Sequence, residues 1–93
     1  MANLYVFHQG QDNDGQLWWS VFDGNNWSGE RQVPNLGLSE SPGAVDWKGG
    51  ITVFHQAASS NLLMYTFSPD GKQWGGDTSV NVGMSGSPSC VVV

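Results

Sequence analysis

The sequence predicts an all-β fold: a β-propeller with four-stranded antiparallel blades, two blades per chain and a ring completed by homo-oligomerisation. The first observation is a repeat. Leu4-Tyr5-Val6-Phe7-His8-Gln9 returns about 47 positions on as Ile51-Thr52-Val53-Phe54-His55-Gln56. The echo continues. Leu17 to Val21 answers to Leu63 to Phe67, Asp23-Gly24-Asn25-Asn26-Trp27 to Asp70-Gly71-Lys72-Gln73-Trp74, and Gly37 to Pro42 to Gly83 to Pro88. A period of about 40–50 residues indicates a propeller, solenoid or array. The second observation is composition. With 13 Gly, 4 Pro, 5 Trp and 12% charged residues, the chain reads as short strands joined by tight turns. The third is what is missing, since no stretch has the 3.6-residue period of an amphipathic helix.

The elements follow in order. Leu4 to Gln9 is a strand by its β-branched and aromatic content, apolar on both faces. Gly10 to Gly15 is a polar turn. Leu17 to Phe22 is the second strand. Asp23-Gly24-Asn25 closes a hairpin, because Asp-Gly suits the positive-φ positions of tight turns. Trp27 opens a third strand that includes Arg31-Gln32-Val33. Pro34 to Gly43 reads as a polar connection. Ala44 to Trp47 is a fourth strand, and Lys48-Gly49-Gly50 turns it into the strand led by Ile51.

Each repeat (about 4–47 and about 51–93) is thus one blade. Along the chain the order is b, c, d, a, b, c, d, a, with Cys90 to Val93 as the second a strand. Met1-Ala2-Asn3 occupies the slot that Lys48-Gly49-Gly50 fills between the repeats. Two blades cannot close a ring, and open strand edges invite pairing. A cyclic homo-oligomer with heterologous contacts is therefore expected, with six blades as a trimer favoured over eight as a tetramer.

Several function classes are excluded on composition. A net charge of −5 with three basic residues leaves no patch for nucleic acid or an anionic membrane surface. No apolar run approaches the ~20 residues of a membrane span. No signal peptide is written into the start, and one Cys forbids an internal disulfide, so a cytoplasmic protein, or one released without a signal peptide, is expected.

The segments Leu4 to Gly10, Leu17 to Trp27 and Gly83 to Ser89 resemble the blade repeat of the Photorhabdus-type propeller lectins. Those bacterial lectins carry seven blades in one chain, and this chain carries two repeats. The resemblance implies a multivalent carbohydrate-binding protein that takes fucose or O-methylated sugars in pockets between blades, with glycans as partners.

Loop alternation puts the b–c loops and d–a connections on one rim, where His8, Gln9, Trp18, Trp19, Ser39, Glu40 and Ser41 meet, as do His55, Gln56, Tyr65, Ser85 and Ser87. Sugar recognition needs this mixture of an aromatic platform and fixed donors and acceptors. Each residue has a plainer role as well. Trp19 and Tyr65 share a strand face with aliphatic residues and suit the inter-blade core. Trp27 and Trp74 suit the hairpins, His8 and His55 can cap backbone groups, and the Ser-x-Ser-Pro segments suit turns. Cys90 reads as a small apolar residue.

Enzymatic chemistry is not expected. Ser68 to Trp74 resembles the Asp-box turn of sialidases, which is a structural hairpin, and Arg31 is the only arginine where carboxylate-binding catalysis needs a cluster. Glu30, Glu40 and Asp46 do not form a repeated carboxylate pair for glycoside hydrolysis. Asp12-Asn13-Asp14-Gly15 resembles part of a calcium loop but lacks the closing Glu, so no metal or cofactor is expected. The competing functions are a propeller scaffold, designed or a fragment, without sugar binding, or a protein-interaction module, since fold alone does not fix function.

Overall fold

The computed structural model describes residues 3–93. The turn slot assigned to Met1-Ala2-Asn3 therefore lies, for Met1 and Ala2, outside the described residues. Six strands run β1 (Leu4–Gln9), β2 (Gln16–Phe22), β3 (Arg31–Trp47), β4 (Gly50–Ala57), β5 (Leu62–Ser68) and β6 (Thr78–Gly83). Each pairs antiparallel with the next, and no helix occurs among the described residues. The sheet is open, with β1 and β6 at its edges.

The expected polar connection from Pro34 to Gly43 is strand throughout. β3 is one ribbon with two partners: Arg31, Gln32 and Gly37 face β2, and Leu38 to Trp47 face β4. β3 thus passes, between Gly37 and Leu38, from a first half-sheet (β1, β2 and its own start; the first sheet) to a second (its own end with β4, β5 and β6; the second sheet). A register shift between Ser39 and Gly43 follows within its ladder to β4. The physical reason is Leu36 and Leu38, both buried between the sheets and separated by Gly37. That two-residue alternation is a strand signal which the flanking Pro, Asn, Ser and Glu obscure. Pro34 is tolerated because it sits in the irregular stretch between Gln32 and Gly37, where the ladder to β2 is interrupted.

Two other expectations are corrected. Trp27 opens no strand; it makes an isolated bridge to Phe22 and stacks on its ring, 4.8 Å between centroids. Cys90 to Val93 is not a strand, because among the described residues no neighbour pairs with its backbone. The turns are as the sequence implies. Gly24 and Gly71 have positive φ, and Asp23 and Asp70 each accept hydrogen bonds from two following backbone N–H groups through Oδ1. Those donors hold both carboxyls below the usual carboxylate range. Lys48 and Gly49, both at positive φ, make the two-residue turn into β4.

The register defines faces. On β1 and β2, Tyr5, Phe7, Leu17, Trp19 and Val21 share the front face, and Leu4, Val6, His8, Trp18, Ser20 and Phe22 share the back. On β4 and β5 the front holds Thr52, Phe54, Gln56, Leu63, Tyr65 and Phe67, and the back holds Ile51, Val53, His55, Met64, Thr66 and Ser68. The front of the first sheet packs on the back of the second. Leu17, Trp19, Val33, Leu36, Leu38 and Val53 form the buried cluster, with Tyr5, Phe7, Ile51 and Trp74 around it. Phe7 meets Trp74 edge to face at 5.5 Å. Each fully buried aliphatic here contributes about 1.5–3 kcal/mol relative to exposure.

Candidate functional site

At the rim where strands β1 and β4 end, the polar side chains are mostly committed to the protein's own backbone. Gln9 accepts from Gly15 N–H at 3.0 Å and donates to the Glu40 carbonyl at 3.4 Å. Its repeat equivalent Gln56 accepts from Gly86 N–H at 2.9 Å and donates to Ser60 O and Asn61 Oδ1. Each glutamine ties a strand end to the next loop and to the bend before the following strand. Ser39 Oγ donates to Ala57 O, and Ser87 Oγ accepts from Ser41 N–H.

The two histidines form a repeated device. Each Nδ1 faces the carbonyl of the next residue, and each Nε2 faces a carboxylate 22 residues on, Glu30 for His8 at 3.1 Å and Asp77 for His55 at 2.8 Å. Glu30, weighed above as a catalytic carboxylate, and Asp77, which aligns with it, are instead committed to these histidines. Their signal is the identical spacing from His in both repeats. The pairs differ in setting: His55 is fully buried in the joint between the sheets, while His8 is partly open.

The remaining expected site residues divide the same way. Trp19 belongs to the buried core, with Arg31 over its ring at 5.7 Å, and is closed to a solute, as is His55. Tyr65 is half-buried beside Phe54 on the front of the second sheet. Trp18 is half-buried on the back of the first, its indole N–H donating to Asp14 Oδ2. The Gln16 N–H, and after it that indole bond, hold the Asp14 carboxyl low. Glu40, Ser41 and Ser85 are exposed. Glu40 also has a φ of 65°. Among the described residues no three His, Cys, Asp or Glu gather as a metal site would require.

A cleft of about 410 Å³ opens between the sheets at the opposite ends of the strands. Tyr5 and Phe7 form one side, Asp46, Gly49 and Gly50 the other, and Asn3, Pro69, Asp70 and Gly71 the mouth. Tyr5 reaches it because Gly71 has no Cβ: one built there would fall 2.5 Å from the phenol oxygen. Gly50 and Gly71 keep this wall thin, and Asp46 and Asn3 bring an acceptor and an amide beside two rings. Volume and lining fall in the range of small-molecule sites. No motif in the sequence points to a site here, because Asn3, Tyr5 and Asp46 become neighbours only in the fold. Set against known proteins, the chain matches no family model, no curated protein and no solved structure.

Proposed function

We propose that the chain supplies two blades of a β-propeller and binds carbohydrate in the cleft between them. The carrying observation is that cleft, which sets two aromatic rings beside an amide and carboxylates at the joint of the two repeats. The rings suit the C–H face of a pyranose, and Asn3 and Asp46 suit its hydroxyls. Fucose and O-methylated sugars fit this chemistry, since each carries a methyl group for the apolar wall. Copies of the chain complete the ring, a trimer favoured over a tetramer, and present several clefts on one side.

Calorimetry with free fucose and a 3-O-methyl sugar tests the reading. Asp46 is exposed and outside the core, so Asp46→Asn is expected to keep the fold and weaken binding at least tenfold. Trp18→Ala and Glu40→Ala, at the other rim, are expected to leave it unchanged. Loss of binding in those two alone would move the site to the loop rim. Absence of binding to any glycan on an array would leave the protein-binding scaffold as the better account.

A further inference from the structure

Each repeat has a front and a back, and one of the two possible joints is made within the chain. The back of the second sheet is covered: Val53 and His55 are 0% exposed, and Gly71 is buried under Tyr5. The same positions on the back of the first sheet are open. Val6 is 38% exposed, Trp27 56% and Leu4 57%, and a Cβ on Gly24 would meet nothing within 4 Å. On the other side, the front of the second sheet is covered only in part, by the chain's own segment from Pro88 to Val93. Thr52, Phe54, Tyr65, Phe67, Val45 and Trp47 surround an apolar groove of about 1140 Å³. The hydroxyl of Thr52 is buried there without a hydrogen-bond partner. One chain therefore displays both halves of a joint whose design it already contains.

The backbone is incomplete at the same places. β1 pairs only with β2, so its other edge is free among the described residues. Val91 to Val93 are exposed beside the groove and pair with no strand. In the joint within the chain, the strand at β1's equivalent edge is the last part of β3, with Ala44 opposite Val53 and Val45 opposite Thr52. The repeat turns Ala44 into Cys90 and Val53 into Val6.

We propose that a second copy of this chain seats the back of its first sheet on the front of the second sheet, and that its β1 takes up Cys90–Val93 as an antiparallel neighbour. Cys90 then lies opposite Val6 of the next copy, Val91 opposite Tyr5 and Val92 opposite Leu4. Trp27 meets Phe54 as Trp74 meets Phe7, and the His8–Glu30 pair becomes buried as His55–Asp77 already is. A foreign partner would need an apolar back face and a free edge in the same register; a copy of this chain has both. The joint is heterologous, so it propagates until a ring closes. The inference rests on the ring in the proposed function and adds its register.

The test is a disulfide. Directly opposed residues on antiparallel strands have Cα atoms about 4.5–5.5 Å apart, within the window for an S–S bond. The Val6→Cys chain, with its native Cys90, is oxidised with diamide and run on a non-reducing gel. Burial raises the Cys90 thiol, so the reaction is run near pH 9. Dimers and higher species up to the native oligomer are expected, absent when Cys90→Ala is added. Ser20→Cys, one strand further on the same face, should cross-link at least tenfold less. Val6→Cys that remains at monomer mass, or forms a bond within one chain, overturns the proposal, as does equal cross-linking by Ser20→Cys. Native mass spectrometry separates the levels. A trimer or tetramer without the Val6–Cys90 bond removes this register and keeps the ring; a monomer removes both. Trp27→Ala, which should fold, is expected to raise the dissociation constant at least tenfold; unchanged assembly would also count against the joint.

Discussion

Glu40 and Gly86 occupy the same place in the two repeats and both have positive φ, 65° and 94°. Glycine enters that region freely, whereas an L residue is held there at about 1–2 kcal/mol. Glu40 keeps the conformation because its carbonyl receives Gln9 and the bend of β3 depends on it. Its exposed carboxylate makes no hydrogen bond or ion pair among the described residues. Glu40→Gly should therefore remove the strain and lose no contact. Against that gain stands the extra freedom of glycine in the unfolded chain, about 0.5–1 kcal/mol. The net expectation is stabilisation by about 0.5–1 kcal/mol, or roughly 2–8 °C in Tm for a domain of this size. Gly86→Ala is the mirror experiment. A Cβ there meets open space, so only the backbone is strained, and a loss of about 1 kcal/mol or more is expected. Urea midpoints at constant m-value measure both. Sugar affinity should not move, because the cleft lies at the other rim. A destabilised Glu40→Gly, or a neutral Gly86→Ala, would refute the reasoning.

Trp74→Ala should cost about 2–3 kcal/mol by thermal unfolding, since Trp74 is half-buried against Phe7 and Trp19. Trp27→Ala, measured on the dissociated chain, should cost about 0.5–1.5 kcal/mol, because among the described residues only the Phe22 ring is stacked on it; equal losses would show that the repeats are not packed differently. The carboxyls of Asp14, Asp23 and Asp70 are held low by hydrogen bonds, so their contribution is full above about pH 4 and lost as pH falls through their lowered values. Tm should decline below about pH 4, and the Asp70→Asn chain should decline less steeply; a flat acid limb in the wild type would contradict this. Asn3 and Asp46 correspond in the second repeat to Gly50 and Val92, so calorimetry should count one strong sugar site per chain. Two equal sites per chain would show that these polar groups are not required. Surface plasmon resonance on dense and sparse fucosylated chips should give apparent affinities differing by roughly 10²–10⁴ if several clefts engage together. Equal affinity at both densities would remove multivalency.

Much of the fold is legible in the residues. The alternating β-branched and aromatic runs specify β1, β2, β4 and β5, and Asp-Gly specifies the hairpin turns, because these are local effects of side-chain shape and φ preference. The repeat by itself implies that His8 and His55, or Gln9 and Gln56, do the same work. What they do was decided by tertiary structure. A glutamine or histidine at a strand end can face a ligand or its own loop, and only the spatial neighbours choose. Gln9 and Gln56 close loops, His8 and His55 face carboxylates, and the long β3 forms because Leu36 and Leu38 find a core between two sheets. The cleft over Tyr5 and Phe7 unites residues from both repeats, more than 60 positions apart for Tyr5 and Gly71. Sequence sets the chemistry of each wall; the packing of one repeat's front on the other's back sets which walls meet and which stay open.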